Sequence, residues 1–374
     1  MRVGTNRKAA TNVKTAIAGR WLRIRKRLGA GLAAGIVLCL AGCGGSGTKQ
    51  AETQASGTKT QQPAAEATSG QAAEGESYEL VFAHIADENN SWHKAALKFK
   101  EIAEADSDGR IQVSIYPNNS LGSESEVLEM IQTGTCDITI TADSLSTWAP
   151  DIGFMGTPYM IADYDHLERV VNSEVGEAIE KEIREKAGMR CLTWLARGPR
   201  YLTSTKRVTT PADLSDVVIR VPDVPMYVKT WEGFGAKPVP MALSEVFTSV
   251  QQGTINAQEN PLALIKSNGF AEVFPYCMET EHVRGWIYVV IGENKYQSLP
   301  DDLKQVVDKA AAEMQTYERE IFYQDEKQLR ADLEAAGMEF VPVEEEQFEA
   351  LTEDVVSLLT DSQRELYDKA AALK

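Results

Sequence analysis

The sequence predicts an α/β fold with a long helix reaching across two lobes, and three observations carry that expectation. From Tyr78 onward, short β runs alternate with amphipathic helical stretches. Pro300 to Ala336 contains no Gly or Pro after its first residue, and Leu303, Val306, Val307, Ala310, Met314, Tyr317 and Ile321 follow helical spacing. About 297 residues follow the N-terminal low-complexity region, enough for two ordinary domains.

Taken in order, "YELVFAHI" and "IQVSIYP" alternate as half-buried strands, with "SWHKAALKFKEIAEADSDG" between them as a helix N-capped by its serine. "SESEVLEMIQTG" opens with a capping box, Ser123 and Glu126, and leads into the strand "CDITITA". "MRCLTWLA" is the next strand. "TTPADLSD" gives a short helix capped by Thr210, with Pro211 in its first turn and Asp213 at the third position, ahead of the strand "VVIRV". After the strand "GWIYVVIGEN" comes the long helix, about 36 residues and about 54 Å, stopped by Gly337. Repeated βα alternation predicts α/β layers with mainly parallel sheets. No internal repeat is visible.

The first 43 residues lie outside this fold. Nine Lys or Arg and no acid precede the apolar run "LGAGLAAGIVLCLAG", too short to span a membrane comfortably. Residues 1–42 read as an export signal, and "LAGC" resembles a bacterial lipoprotein processing site with Cys43 as the lipidated N-terminus. Residues 43–77 contain almost no large apolar side chain and predict a flexible tether spanning about 30 Å.

The chain carries a formal charge of −17, and losing the nine leader cations takes it to −26. Nucleic acid, or anionic lipid contacted through bulk charge, is therefore not an expected partner. An anionic ligand would need local cations. Cys136, Cys191 and Cys277 are too few and too scattered for a disulfide framework, and His84, His93, His166 and His282 show no metal-ligand spacing, so no metal or cofactor is expected. Common catalytic motifs are missing, which moves weight from catalysis towards binding.

Polar residues concentrate in two places. "LARGPRYLTS" sets Arg197 and Arg200 around a Gly-Pro turn, and "IRVPD" places Arg220 in an apolar strand 20 residues later. If strand ends lie side by side, Arg200 and Arg220 converge at a crevice as two guanidinium forks suited to a carboxylate. Taken singly, each arginine reads equally as a partner for the abundant acids, Arg197 above all. "QENPLA" puts Asn260 before a proline, in extended geometry where its amide can face a ligand or simply make a turn.

"YPNNSLGSESEVLEMIQTGTCDIT", "IRVPD", "GFGAKPVPMALSEVFTSVQQGTINAQENPLA" and "SLPDDLKQVV" together resemble the solute-binding proteins of TRAP transporters, the dicarboxylate-binding (DctP) type, from Leu80 to about Gly337. The resemblance implies a two-lobed periplasmic-binding-protein-like fold (type II-like), with cross-lobe strands and a C-terminal hinge helix. Residues 78–197 with 286–325 would form one lobe, and 198–285 with 326–374 the other. It implies capture of an organic acid by cleft closure, delivery to small and large membrane permease subunits, and attachment to the outer face of the cell membrane through Cys43.

By the same resemblance Arg220 pairs with the substrate carboxylate, and Arg200, Asn260, Glu124 and His282 match other binding positions. Leu243, Asp143, His84 and Trp286 complete the expected substrate-binding set. Asp223 stands where sialic-acid binders have Asn, which favours uronates or aldonates, with C4-dicarboxylates also open. A ligand-presenting sensor and a secreted sugar-acid enzyme are the alternatives.

Overall fold

In the computed structural model the described residues run from 76 to 374. The leader, Cys43 and nearly all of the expected tether lie outside them. In chain order the strands are β1 (Tyr78–Ala83), β2 (Ile111–Tyr116), β3 (Ile138–Thr141), β4 (Met189–Arg197), β5 (Arg200–Ser204), β6 (Val218–Val221), β7 (Lys237–Pro240), β8 (Ala257–Pro261), β9 (Tyr276–Met278), β10 (Gly285–Gly292) and β11 (Glu339–Val341). The α-helices are α1 (Ser91–Asp106), α2 (Glu124–Thr133), α3 (Tyr164–Val171), α4 (Glu174–Glu182), α5 (Pro225–Gly233), α6 (Val246–Gln251), α7 (Leu262–Ser267), α8 (Glu293–Ser298), α9 (Asp301–Ala335), α10 (Glu345–Glu349), α11 (Thr352–Val356) and α12 (Asp361–Ala371).

The strands form two sheets, ordered β2-β1-β3-β10-β4 and β11-β9-β5-β8-β6-β7. The second sheet has three parallel pairings of five, in line with the expectation from alternation, whereas the first is evenly divided. β10 runs antiparallel to both β3 and β4, and β5 antiparallel to both β8 and β9, while the remaining pairings are parallel. Each reversed strand has just crossed from the other sheet. β5 follows β4 after only Gly198 and Pro199, and β10 returns after β9. These two strands enter their new sheets against their neighbours' direction.

Local sequence explains the helices that frame the crossings. Ser123 and Glu126 form the expected capping box of α2. The N-cap of α1 is Asn90 rather than Ser91, which is already helical; the Asn90 side chain accepts from the Trp92 N–H at 3.0 Å. Helix α9 runs 35 residues, preceded by Pro300 and with Asp301 and Asp302 at the positive end of its dipole. Its chain leaves the helix at Gly337, whose φ of 98° only glycine adopts readily. α9 packs on α1 and β4 beside the first sheet and on α7 beside the second, where Leu329 and Leu333 share a core cluster with Leu264 and Ile265.

The C-terminal segment departs from the expected grouping of 326–374 with the second lobe. α12 packs on Pro150–Gly156 and α4, next to the first sheet. Ala370 is buried in that sheet's core, and its carbonyl lies 2.8 Å from His166 Nε2. An apolar stripe buries where a complementary surface is open, whatever lobe the preceding strand β11 belongs to.

Candidate functional site

A cavity opens between the two sheets where the chain crosses, and Glu124, Asp143, Arg197, Arg200, Arg220 and Asn260 supply much of its polar wall. Strand alternation sets Arg220 there. Ile219 and Val221 point into the core of the second lobe, so the residue between them faces the cavity.

Three arginines reach the cavity, all nearly buried, and they differ in how their charge is met. Arg197 Nη1 donates to Asp143 Oδ2 at 2.8 Å, and the Tyr227 hydroxyl donates to the same oxygen at 2.9 Å. Arg200 is gripped by Glu259: Nη2 donates to Oε1 at 2.7 Å and Nε to Oε2. Arg220 has no carboxylate partner among the described residues. Its Nε donates to the Met241 carbonyl at 2.9 Å.

The titration directions follow this pattern. Burial would raise the Glu259 carboxyl, but Arg200 and the His282 hydrogen bond hold it down at about 2. Burial likewise opposes the charge on Arg200, and the neighbouring Glu259 outweighs it, leaving Arg200 raised. For Arg220, burial prevails over the more distant Glu259 and lowers the guanidinium to about 10. It stays cationic at neutral pH, without a counter-ion of its own.

The other expected residues divide by position. Glu124 opens α2 and accepts from Thr141 Oγ1 at 2.5 Å and from the Ala142 N–H at 3.4 Å, which fixes it in the wall. Asn260 is the last residue but one of β8, before Pro261; its Nδ2 donates to Gln258 Oε1 at 2.6 Å and its Oδ1 accepts from Arg200 Nη2 at 3.3 Å. Leu243 lines this cavity and an adjoining cleft that shares Glu124 and Arg220 with it, while Asp223 lines only the adjoining cleft.

His282, His84 and Trp286 do not reach the cavity wall. His282 stands behind Glu259, its Nε2 3.2 Å from Oε2 and its Nδ1 2.9 Å from Thr280 Oγ1. Burial lowers its pKa, so it is a neutral imidazole whose Nε2–H donates to Glu259. His84 lies against His93, Nε2 to Nδ1 at 3.2 Å, and burial lowers it to about 3. Trp286 is in the first lobe's core, and its neighbour Ile287 lines the cavity instead. On a strand, one residue decides the face.

Arg200 opens β5 rather than ending a strand as expected. Because β5 is antiparallel to β8, with Arg200 opposite Pro261, its start lies at the same sheet edge as Asn260. Sequence reasoning missed Glu259 and Tyr227, whereas its reading of Arg197 as the partner of an acid is met by Asp143. For Glu259 there was a signal: an acid inside "QENP", in a strand otherwise destined for burial, demands a cation.

Two sheets joined by crossing strands, with an uncompensated cation in the cavity between them, define a two-lobed binding protein receptive to an anion. The chain belongs to the bacterial extracellular solute-binding proteins, family 7, whose model matches residues 82–365. It is 46% identical over 277 residues to a solute-binding protein of Roseobacter denitrificans, covering 74% of this chain and 85% of that one. It is also similar to a crystal structure of a TRAP periplasmic solute-binding protein from the same species with bound L-galactonate. That match has 43% identity and a TM-score of 0.77, covering 79% of this chain and 99% of the other. A TRAP periplasmic solute-binding protein from Polaromonas, bound to D-erythronate, matches at 26% identity and a TM-score of 0.75, covering 79% and 99%.

Proposed function

We propose that this protein captures a polyhydroxylated monocarboxylate, a sugar acid of the aldonate or uronate class, and delivers it to the membrane subunits of a TRAP transporter. The observation that carries the reading is the charge pattern of the cavity: two arginines are neutralised by Asp143 and Glu259, and Arg220 alone is left to a carbonyl. A single carboxylate completes it. Bidentate pairing with Arg220 gives charge-assisted hydrogen bonds worth about 1.5–3 kcal/mol each.

Closing the lobes around Arg220 without an anion would strand a desolvated charge, so ligand favours the closed form that the permease recognises. Glu124 accepts from sugar hydroxyls and disfavours a second carboxylate. L-galactonate bound to the Roseobacter relative is in keeping with this class. We further infer that Cys43 is lipidated and that the tether lets the folded lobes reach the permease from the membrane surface.

Calorimetric titration of the purified protein with L-galactonate, D-glucuronate, galactarate and succinate tests the reading. The two sugar monoacids bind and the two diacids bind far more weakly; preference for succinate overturns it. For the anchor, Cys43→Ser releases the protein from the membrane fraction, and unchanged membrane retention removes the assignment.

A further inference from the structure

Outside the cavity, the carboxyl of Glu326 on α9 is set against the point where the chain passes from one sheet to the other. A β-carbon at Gly198, in the two-residue link between β4 and β5, would fall 2.7 Å from Glu326 Oε1 and 2.9 Å from Oε2. Oε1 is buried with no hydrogen-bond partner among the described residues, which is rare for a carboxyl in a folded chain.

Titratable and charged groups face Glu326 from each element around it. The link between β9 and β10, the second crossing, brings Glu281, which accepts from the Tyr201 hydroxyl of β5 at 2.9 Å and from Arg284 Nη2. From α3 comes Tyr164, packed edge-on against Phe322 one turn earlier in α9, its hydroxyl buried without a partner among the described residues. Asp325, next along α9, pairs with Lys94 of α1 at 3.3 Å. Asp87, ahead of α1, and the Lys266–Asp332 pair between α7 and α9 line the same groove as Glu326. The cations here are taken: Arg284 by Glu281, Lys94 by Asp325 and Lys266 by Asp332. Burial, with Glu281 and then Asp325 adding repulsion, therefore pushes the Glu326 carboxyl up to about 7.

This groove is walled by α1 beside the first sheet and by α7 beside the second, so a change in the angle between the lobes reshapes it. The arrangement described here hides Arg220 and Glu326 Oε1 together. Opening the lobes would hydrate the carboxyl and return it towards its ordinary value of 4.5. The closed lobes then hold the proton more tightly than the open ones. That advantage is complete below 4.5 and is lost as pH rises to about 7.

We propose that Glu326 is a proton switch in the hinge: protonated, it lets α9 and the two crossings pack in the closed arrangement, and ionised, it favours the open lobes. The inference goes beyond the capture of a sugar acid and holds for whichever carboxylate fills the cavity. Glu318, the other raised acid of α9, contacts Ser91 and the Ala196 backbone, both beside the first sheet, so a change of lobe angle leaves its surroundings intact.

The test is the affinity of the purified full-length protein for L-galactonate at pH 6 and pH 8.5, measured by calorimetry. Binding is expected to be about tenfold tighter at pH 6, with uptake of about one proton per ligand seen by comparing buffers of different ionisation enthalpy. Glu326→Gln, neutral throughout, should bring the two affinities within twofold of each other and abolish the proton uptake. A wild-type ratio below threefold overturns the switch, and so does a Glu326→Gln protein that keeps the wild-type ratio. Glu326→Leu carries the same expectation and replaces the Gln variant if that does not fold.

If L-galactonate binds at neither pH, the sugar-acid reading falls and the switch is decided without ligand, by X-ray scattering. The radius of gyration of wild type should then rise from pH 6 to pH 8.5 and that of Glu326→Gln should not; equal radii in wild type overturn the proposal.

Discussion

Glu259 grips Arg200 through both carboxylate oxygens, with Nη2 to Oε1 at 2.7 Å, while 20 residues later in the chain Arg220 meets only the Met241 carbonyl. Two arginines on one wall thus have opposite electrostatic standing. The pair holds the wall together, and the free cation is the part that answers to a ligand.

Removing the pair's acid should therefore damage the fold. Glu259→Gln leaves Arg200 buried without its counter-ion, and breaking a buried pair costs about 3–5 kcal/mol. Urea denaturation checks this; a loss below about 1 kcal/mol would show that Arg200 finds another partner.

Arg220 predicts the reverse trade. Arg220→Met removes a buried cation with no acid of its own, so stability without ligand should stay level or rise by about 1 kcal/mol, while sugar-acid affinity collapses by orders of magnitude. Arg220→Lys keeps the charge but loses the fork, and should cost at least tenfold in affinity. Unfolding curves and calorimetry on the same samples separate the two effects.

Glu318, on α9, is 1% exposed and accepts from Ser91 Oγ at 3.3 Å, and burial pushes its carboxyl up to about 8. Folded protein thus keeps a proton that the unfolded chain gives up near the ordinary carboxylate value of 4.5. Its contribution to stability is complete below that value and is lost as pH rises towards about 8. Glu318→Gln should flatten the fall in melting temperature between pH 5 and pH 8.5. An unchanged slope would mean that Glu318 does not titrate in this window.

Gly176, inside α4, has no room for a side chain: a β-carbon there would lie 1.9 Å from the Val171 carbonyl oxygen. Because that neighbour is backbone and cannot swing away, Gly176→Ala should destabilise by about 3 kcal/mol, at the upper end of overpacking costs. Thermal melts would show it, and a neutral result would mean that the Val171 turn gives way.

Features that depend on near neighbours in the chain were legible in the sequence. The α2 capping box, the uninterrupted α9 with its stop at Gly337, and the facing of Arg220 out of the "VVIRV" strand all follow from spacing and local hydrogen bonding. The motifs from Arg220 to Asn260 were enough to place the chain in its family. The reversed directions of β5 and β10, the docking of α12 beside the first sheet, and the placing of His282, His84 and Trp286 away from the cavity wall emerged with the folded chain alone. So did the acids that neutralise Arg197 and Arg200. Charge compensation is a matter of distance in space, and Glu259 lies 59 residues from Arg200 and Asp143 lies 54 from Arg197; no pattern along the chain shows which acid reaches which base once two lobes have folded against each other.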